Sequence, residues 1–276
     1  MSSRSASYMG PREVSYLFID GAYLNRAVNN VAKNFFGEET IPIDFRKLAS
    51  GYTKSFYYDC PRPQRNGELS EDYQNDIQRQ KSFFNSIRCL DGYHVFEGIT
   101  TGDLGKPRQK QIDVKIAVDM LRHSHHRNMH KATLLTGDLD FKPLIDSLVD
   151  DGMYVTLWYE ESSASRELIF SADAQRRLTI TSVHGFSTNA FQAKFTIPQQ
   201  RVMTKNLGGL TKQIKTGVSP SNLQVELHQG PDGFCVIFSY PDETTGQFLH
   251  IYHDDQGSLE KFVDSEFFKV KWLPGL

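Results

Sequence analysis

The strongest constraint on this chain is a unit that keeps returning in its N-terminal part: a short β-branched and aromatic run, a turn, then a longer segment with helical apolar spacing. Val14 to Ile19 ends at Asp20-Gly21 and is followed by Ala22 to Lys33. The same order recurs in Lys54 to Tyr58 with Ser70 to Cys89, Tyr93 to Phe96 with Gln109 to Arg122, Ala132 to Leu135 with Phe141 to Val149, and Met153 to Trp158 with Ser163 to Phe170. Strands alternating with helices predict right-handed crossovers and a mainly parallel sheet covered on both faces, an α/β fold. Ligands of such sheets sit outside the carboxyl ends of the strands. Asp20, Asp59 and Asp138 all fall there.

The pattern changes near Thr181. From there through Gln200 the chain mixes Gly, Ser, Asn, Gln and Pro198 with no sustained period, which reads as a linker. Beyond it, Gln224 to His228, Phe234 to Tyr240, Phe248 to Tyr252 and Phe267 to Trp272 are short strand candidates separated by turn clusters, the pattern of a small antiparallel meander. The expected organisation is a flexible tail over 1–13, an α/β domain over 14–181, a linker over 182–215 and a small, mainly antiparallel β domain over 216–276.

Composition narrows the function classes. With 31 Lys+Arg against 33 Asp+Glu the net charge is -2, so no global positive field gathers polyanions, and a nucleic acid has to be held by a local patch. Three scattered cysteines, Cys60, Cys89 and Cys235, argue against a disulfide framework or a structural zinc site and for a reducing, cytoplasmic compartment. No apolar run approaches the roughly 20 residues that cross a bilayer, and Met1 to Arg12 is polar, unlike a signal sequence. No membrane partner is expected.

The densest chemical signal is Thr136-Gly137-Asp138-Leu139-Asp140-Phe141, directly after the apolar run Ala132 to Leu135. It reads as a strand delivering a carboxylate at its tip, a glycine for the tight turn, and a second carboxylate in the first turn of the next helix. Alone, Asp140 would be taken for a helix cap. With Asp20 at another strand tip the balance moves, because adjacent parallel strands lie about 5 Å apart and crowded carboxylates are costly unless a hard cation neutralises them. Oxygen-only donors favour Mg²⁺ or Mn²⁺ over zinc.

Asp113 opens a helical stretch whose packing stripe is Ile112, Ile116, Ala117 and Met120. Asp119 follows about 240° further round the helix, so both cannot point at one metal, and Asp119 is expected as a helix-surface or supporting residue. Lys106-Pro107-Arg108-Gln109-Lys110 forms a short basic approach, suited to clamp a phosphate backbone beside an acidic cleft. Asp59 is an outer member of the acidic set or a turn former before Pro61.

Three blocks now carry a resemblance: Phe18-Ile19-Asp20-Gly21-Ala22-Tyr23-Leu24-Asn25, then Lys110-Gln111-Ile112-Asp113-Val114-Lys115 with Asp119, then Thr136 to Leu144. In this order they resemble the signature blocks of the NYN (LabA-like) branch of the PIN-like ribonucleases, over about Val14 to Ile180. The resemblance implies a Rossmannoid fold and a metal-dependent phosphodiesterase acting on RNA. It implies Asp20, Asp113 and Asp138 as metal ligands under Mg²⁺ or Mn²⁺, with Asp140 as the fourth catalytic member. Asn25 matches the family's asparagine, and Thr136 keeps the hydroxyl of the usual serine. Substrate contacts are then expected from Asn25, Thr136, Lys106, Arg108, Lys110 and Lys115, with single-stranded or looped RNA as the partner. Two other readings stay open: a PIN-like module that binds RNA or protein without cleaving, and a DNA-directed nuclease with the same site.

Remaining signals are weaker. His123, His125, His126 and His130 crowd a helix end where cations suit the helix dipole. Gly208-Gly209-Leu210-Thr211-Lys212 lacks the order of a phosphate loop. The C-terminal strands are aromatic but their turns are acidic, so a packed core with a protein-binding or self-association surface is expected there.

Overall fold

A computed structural model of the chain describes residues 13–62, 64–65, 67–98, 110–203, 212–231, 233–239, 248–266 and 269–273. The tail up to residue 12, Lys106 and Arg108 lie outside the described residues, as does the side chain of Lys110. The chain divides into two compact units. One runs to Ala27 and resumes over Asp44–Leu178; the other takes Val28–Ile43 and Thr179–Leu276.

The first unit is a parallel sheet of β1 (Ser15–Asp20), β2 (Lys54–Asp59), β3 (Tyr93–Glu97), β4 (Lys131–Leu135), β5 (Tyr154–Tyr159) and β6 (Ala174–Arg177), in the order β3-β2-β1-β4-β5-β6. Its helices are α1 (Gly21–Val31, whose last turn belongs to the other unit), α2 (Phe45–Leu48), α3 (Ser70–Arg88), α4 (Lys110–His125), α5 (Lys142–Asp150) and α6 (Arg166–Ile169). Central β1 is buried along its length after Ser15, as a strand covered on both faces must be. On one face Tyr16, Phe18, Phe56 and Tyr58 pack with Ile112, Ile116 and Met120 of α4 and Leu144, Ile145 and Leu148 of α5. On the other, Tyr57 meets Phe84 of α3, ring centroids 6.2 Å apart. The strand order reverses between β1 and β4, the place where such sheets open a crevice at their carboxyl ends.

One strand was not expected. β6 reads Ala-Gln-Arg-Arg, without the apolar run that marks the others. It is an edge strand, paired only with β5 within the sheet, and edge strands carry charge to discourage further pairing. The Arg176 guanidinium lies over the Trp158 ring, 3.8 Å from its centroid.

The second unit holds β7 (Gln199–Met203), β8 (Lys212–Val218), β9 (Gln224–Gly230), β10 (Gly233–Ser239), β11 (Phe248–His253) and β12 (Lys271–Trp272), in the order β12-β8-β9-β10-β11-β7 with antiparallel pairing. Residues 182–215, expected as a linker, instead carry most of α7 (Ile180–Gly185), then α8 (Asn189–Lys194), β7 and the start of β8. Both helices are short and capped by side chains, Thr179 and Thr188, which is why no sustained period marks them. The strand expected over 267–272 is reduced to β12, and α9 (Gln256–Glu266) precedes it. Asp255 caps α9 through the Ser258 N–H at 2.6 Å, and Leu259, Phe262, Val263 and Glu266 form its buried face. No helix among the described residues is long and apolar enough to cross a membrane.

Candidate active site

Asp20 ends β1 and is 4% exposed. The turn into α1 requires Gly21, where a Cβ would stand 2.5 Å from the Tyr57 ring and 2.9 Å from the Tyr58 carbonyl. Oδ1 of Asp20 accepts from the Tyr23 N–H at 3.0 Å, and Oδ2 from the Thr136 hydroxyl at 3.2 Å. Burial raises the Asp20 pKa, the two hydrogen bonds and Arg26 pull it down, and the charge of Asp138 raises it again.

Asp138 and Asp140 lie exposed beyond the tip of β4. The Asp138 N–H donates to Thr136 Oγ1 at 3.3 Å, and Oδ1 of Asp138 accepts from the Asp140 N–H at 3.0 Å. Asp138, rather than Asp140, thus caps the short 3-10 turn Leu139–Phe141. Asp113, in the first turn of α4, has its pKa pushed up to about 6, first by burial and then by the charges of Asp20, Asp138 and Asp140. Asp113 thus feels the charges of Asp20, Asp138 and Asp140, an electrostatic coupling of four carboxylates near the switch point of the sheet.

A second tier stands behind them. Asp59, at the tip of β2, is 7% exposed. It accepts from the Cys60 N–H at 2.7 Å and the Tyr57 hydroxyl at 3.1 Å. Burial pushes its pKa up to about 6, those bonds pull it down, and the charge of Asp20 raises it. Asn25 donates to the Tyr57 hydroxyl at 3.5 Å rather than to a carboxylate.

Several expected contacts sit elsewhere. Thr136, expected against substrate, is fully buried and holds Asp20. Asp119, expected as a helix-surface or supporting residue, is 4% exposed: Oδ2 accepts from the Tyr58 hydroxyl at 3.0 Å and Oδ1 meets Lys115 Nζ at 2.6 Å. Lys115, expected on a phosphate, is held by that ion pair and lies 5.4 Å over the Phe96 ring. Sequence periodicity places Lys115 and Asp119 one turn apart but cannot show that Tyr58 fills the space between them. Tyr23, whose N–H holds Asp20, was not among the expected site residues.

The donor set is oxygen only and mutually repulsive, the chemistry that a hard dication relieves. Among the described residues, no three His, Cys, Asp or Glu side chains stand in the arrangement of a ready metal cage. By donor chemistry, oxygen only and mutually repulsive, the residues fit Mg²⁺ or Mn²⁺.

Fold and site together define a parallel α/β domain with an acidic cluster at its switch point. A family model described as the NYN domain matches residues 15–178, more than half of the chain, and the chain belongs to that family. NYN is a PIN-like, nuclease-family domain, which places the function with nucleases and RNA. A crystal structure of a protein of unknown function from Vibrio parahaemolyticus is 16% identical, with a TM-score of 0.47 over 65% of this chain and 100% of that one. GenD2 from gentamicin A biosynthesis, crystallised with NAD, is 10% identical, with a TM-score of 0.24 over 90% of this chain and 74% of that one. Comparison with curated proteins finds no match.

Proposed function

We propose that the chain is a divalent-metal-dependent endoribonuclease that hydrolyses single-stranded or looped RNA. The observation that carries this reading is the electrostatic convergence of Asp20, Asp113, Asp138 and Asp140 where the sheet order reverses. Asp20, Asp113 and Asp138 would hold Mg²⁺ or Mn²⁺, which when bound supplies a water of lowered pKa and polarises the phosphodiester. Asp20 is the fixed member, oriented by Tyr23 and Thr136. Asp140, exposed after the tip of β4, would position a second metal or the attacking water. The protein supplies no covalent nucleophile. Lys106, Arg108 and Lys110 precede Asp113 in sequence, and a basic segment there would neutralise substrate phosphates. Three free cysteines, Cys60, Cys89 and Cys235, suit a reducing cytoplasm.

A non-cleaving RNA-binding module has one observation in its favour, the lack of a ready cage among the described residues. One experiment separates the two. Labelled RNA is incubated with parent and Asp138→Asn protein under Mg²⁺, Mn²⁺ and EDTA, beside a 2′-deoxy strand of the same sequence. Metal-dependent fragments from RNA, lost in the variant, support the endoribonuclease. Intact RNA that still shifts in a binding gel supports the module, and cleavage of the deoxy strand alone redirects the reading to DNA.

A further inference from the structure

We infer that Tyr23 is a positioning residue that sets the spacing between the Asp20 and Asp138 tips, an inference that rests on the nuclease reading above. The ladder between β1 and β4 ends at Ile19 and Leu135, and beyond it Thr136 links the tips, donating to Asp20 Oδ2 and accepting from the Asp138 N–H, which leaves the turn itself to be held from below. Tyr23 spans that gap from three sides. Its main-chain N–H donates to Asp20 Oδ1 at 3.0 Å. Its ring fills the space that a side chain at position 137 would need: a Cβ on Gly137 would stand 2.5 Å from Cε2 and 2.8 Å from Cζ. The turn Thr136-Gly137-Asp138 therefore rests directly on the ring. Its hydroxyl accepts from the Glu160 N–H at 2.8 Å and shares a hydrogen bond with Ser163 Oγ at 2.8 Å.

One residue, 4% exposed, thus joins the tip of β1, through its main chain, and the turn after β4 and the loop after β5, through its side chain. Being buried with its hydroxyl engaged, it does not reach substrate and acts through the carboxylates. A larger residue at 137 pushes the Asp138 turn off the ring, and a smaller one at 23 lets the turn fall inward. Gly137 and Tyr23 are complementary halves of one contact.

The test compares Tyr23→Phe, Tyr23→Leu, Gly137→Ala and the Tyr23→Leu/Gly137→Ala double variant, with Ser163→Ala as a variant at an exposed position. Thermal melts establish folding, calorimetry gives Mn²⁺ affinity, and RNA cleavage gives kcat and KM. Loss of the hydroxyl in Tyr23→Phe weakens Mn²⁺ binding by about tenfold, the effect of one lost buried hydrogen bond, and lowers kcat at subsaturating Mn²⁺ by up to the same factor, at unchanged KM. Ser163→Ala moves both in the same direction by less. The double variant outperforms Gly137→Ala alone in Mn²⁺ affinity, because removing the ring relieves the clash. Parental affinity and kcat in both Tyr23→Phe and Ser163→Ala overturn the inference, as does a double variant no better than Gly137→Ala. Should the parent bind Mn²⁺ yet cut no RNA, the nuclease reading fails and the Mn²⁺ affinities alone decide on Tyr23; a parent that binds no Mn²⁺ overturns both.

Discussion

In the parallel sheet the buried carboxylates sit at strand tips, whereas in the antiparallel sheet the buried histidines and cysteine sit in mid-strand. Asp20 and Asp59 end β1 and β2, and each finds an N–H just beyond the strand, from Tyr23 and Cys60. Strand tips open onto donors that no ladder uses, so a carboxylate can be buried there with hydrogen bonds ready for its charged form. His228, Cys235 and His250 instead lie within β9, β10 and β11. Cys235 pairs with His228, and Ile237 with His250, on one face of the sheet. The main-chain donors there belong to the ladder. Burial pushes the Cys235 thiol up to about 11 and the His250 imidazole down, so both groups are held neutral. The comparison teaches that burial alone does not mark a site. Burial with donors for the charged form, at an end that substrate can reach, does.

The largest break in this comparison is chemical. Asp113→Asn should lower RNA cleavage by about a thousandfold, since a lost ligand forfeits several kcal/mol of transition-state stabilisation. In EDTA at pH 7.5 the same change should raise the melting temperature of the first unit by roughly 2–4 °C, what about 1 kcal/mol does in a domain of this size, because a repelled carboxylate is gone. Single-turnover cleavage and a melt followed at Trp158 read the two effects. A lowered melting temperature would show that Asp113 supports the fold rather than burdening it. Next in size, Mn²⁺ at a hundredfold excess over its dissociation constant should stabilise the first unit by about 2.7 kcal/mol. Trp158 in a Trp272→Phe background should report that gain, and Trp272 in a Trp158→Phe background should report none.

The two sheets should also answer pH in opposite directions. Asp59 titrates near 6 when folded, above its ordinary 3.8, so its folded form binds the proton more tightly. Its contribution is present at low pH and is lost as pH rises from about 3.8 to about 6. His250 is shifted down from 6.5, so the unfolded chain takes the proton first and stability is lost as pH falls below 6.5. Denaturant melts of the metal-free protein between pH 5 and pH 8, read at the two tryptophans, should find the first unit firmer at the acid end and the second at the alkaline end. Asp59→Asn and His250→Gln should each reduce one slope, the first unit's also carrying Asp113 in the same direction and His94 and His123 in the opposite one, and parallel slopes in the parent would sink the contrast.

Much of the parallel sheet was legible because its strands are continuous apolar runs ending in acid or glycine, and its helices carry wide stripes. Asp20 and Asp138 could be read as strand-tip carboxylates from the alternating pattern, whereas Asp113, on a helix, joined them only through the resemblance to the NYN blocks. What could not be read depended on partners distant in sequence: Thr136 turned inward to Asp20, Asn25 to Tyr57, and Asp119 enclosed by Tyr58 and Lys115. The second unit was less legible for a different reason. α7 and α8 are too short to show a period, and α9 begins in a cluster, Asp254-Asp255-Gln256-Gly257, whose composition is that of a turn. Its signal lay in the spacing of Leu259, Phe262, Val263 and Glu266 beyond the cap.

The smallest effect is expected at Lys115, where the sequence and the structure disagree about a role. A lysine beside Asp113 suggests a phosphate clamp, yet its ammonium lies 2.6 Å from Asp119 Oδ1. Lys115→Ala removes one partner of a buried carboxylate that keeps its Tyr58 bond and has Arg122 at 3.4 Å. Stability should therefore fall by about 1 kcal/mol, the range of a partly exposed charge-assisted contact with remaining partners, while KM for RNA stays within about threefold. Titrating RNA binding against salt decides between the roles. A phosphate-bound lysine contributes about one unit to the slope of log affinity against log salt, and an ion-paired one contributes none. A slope reduced by one in Lys115→Ala, with stability unchanged, would mean that Lys115 leaves Asp119 when RNA arrives and that the buried pair is a resting place for a substrate clamp.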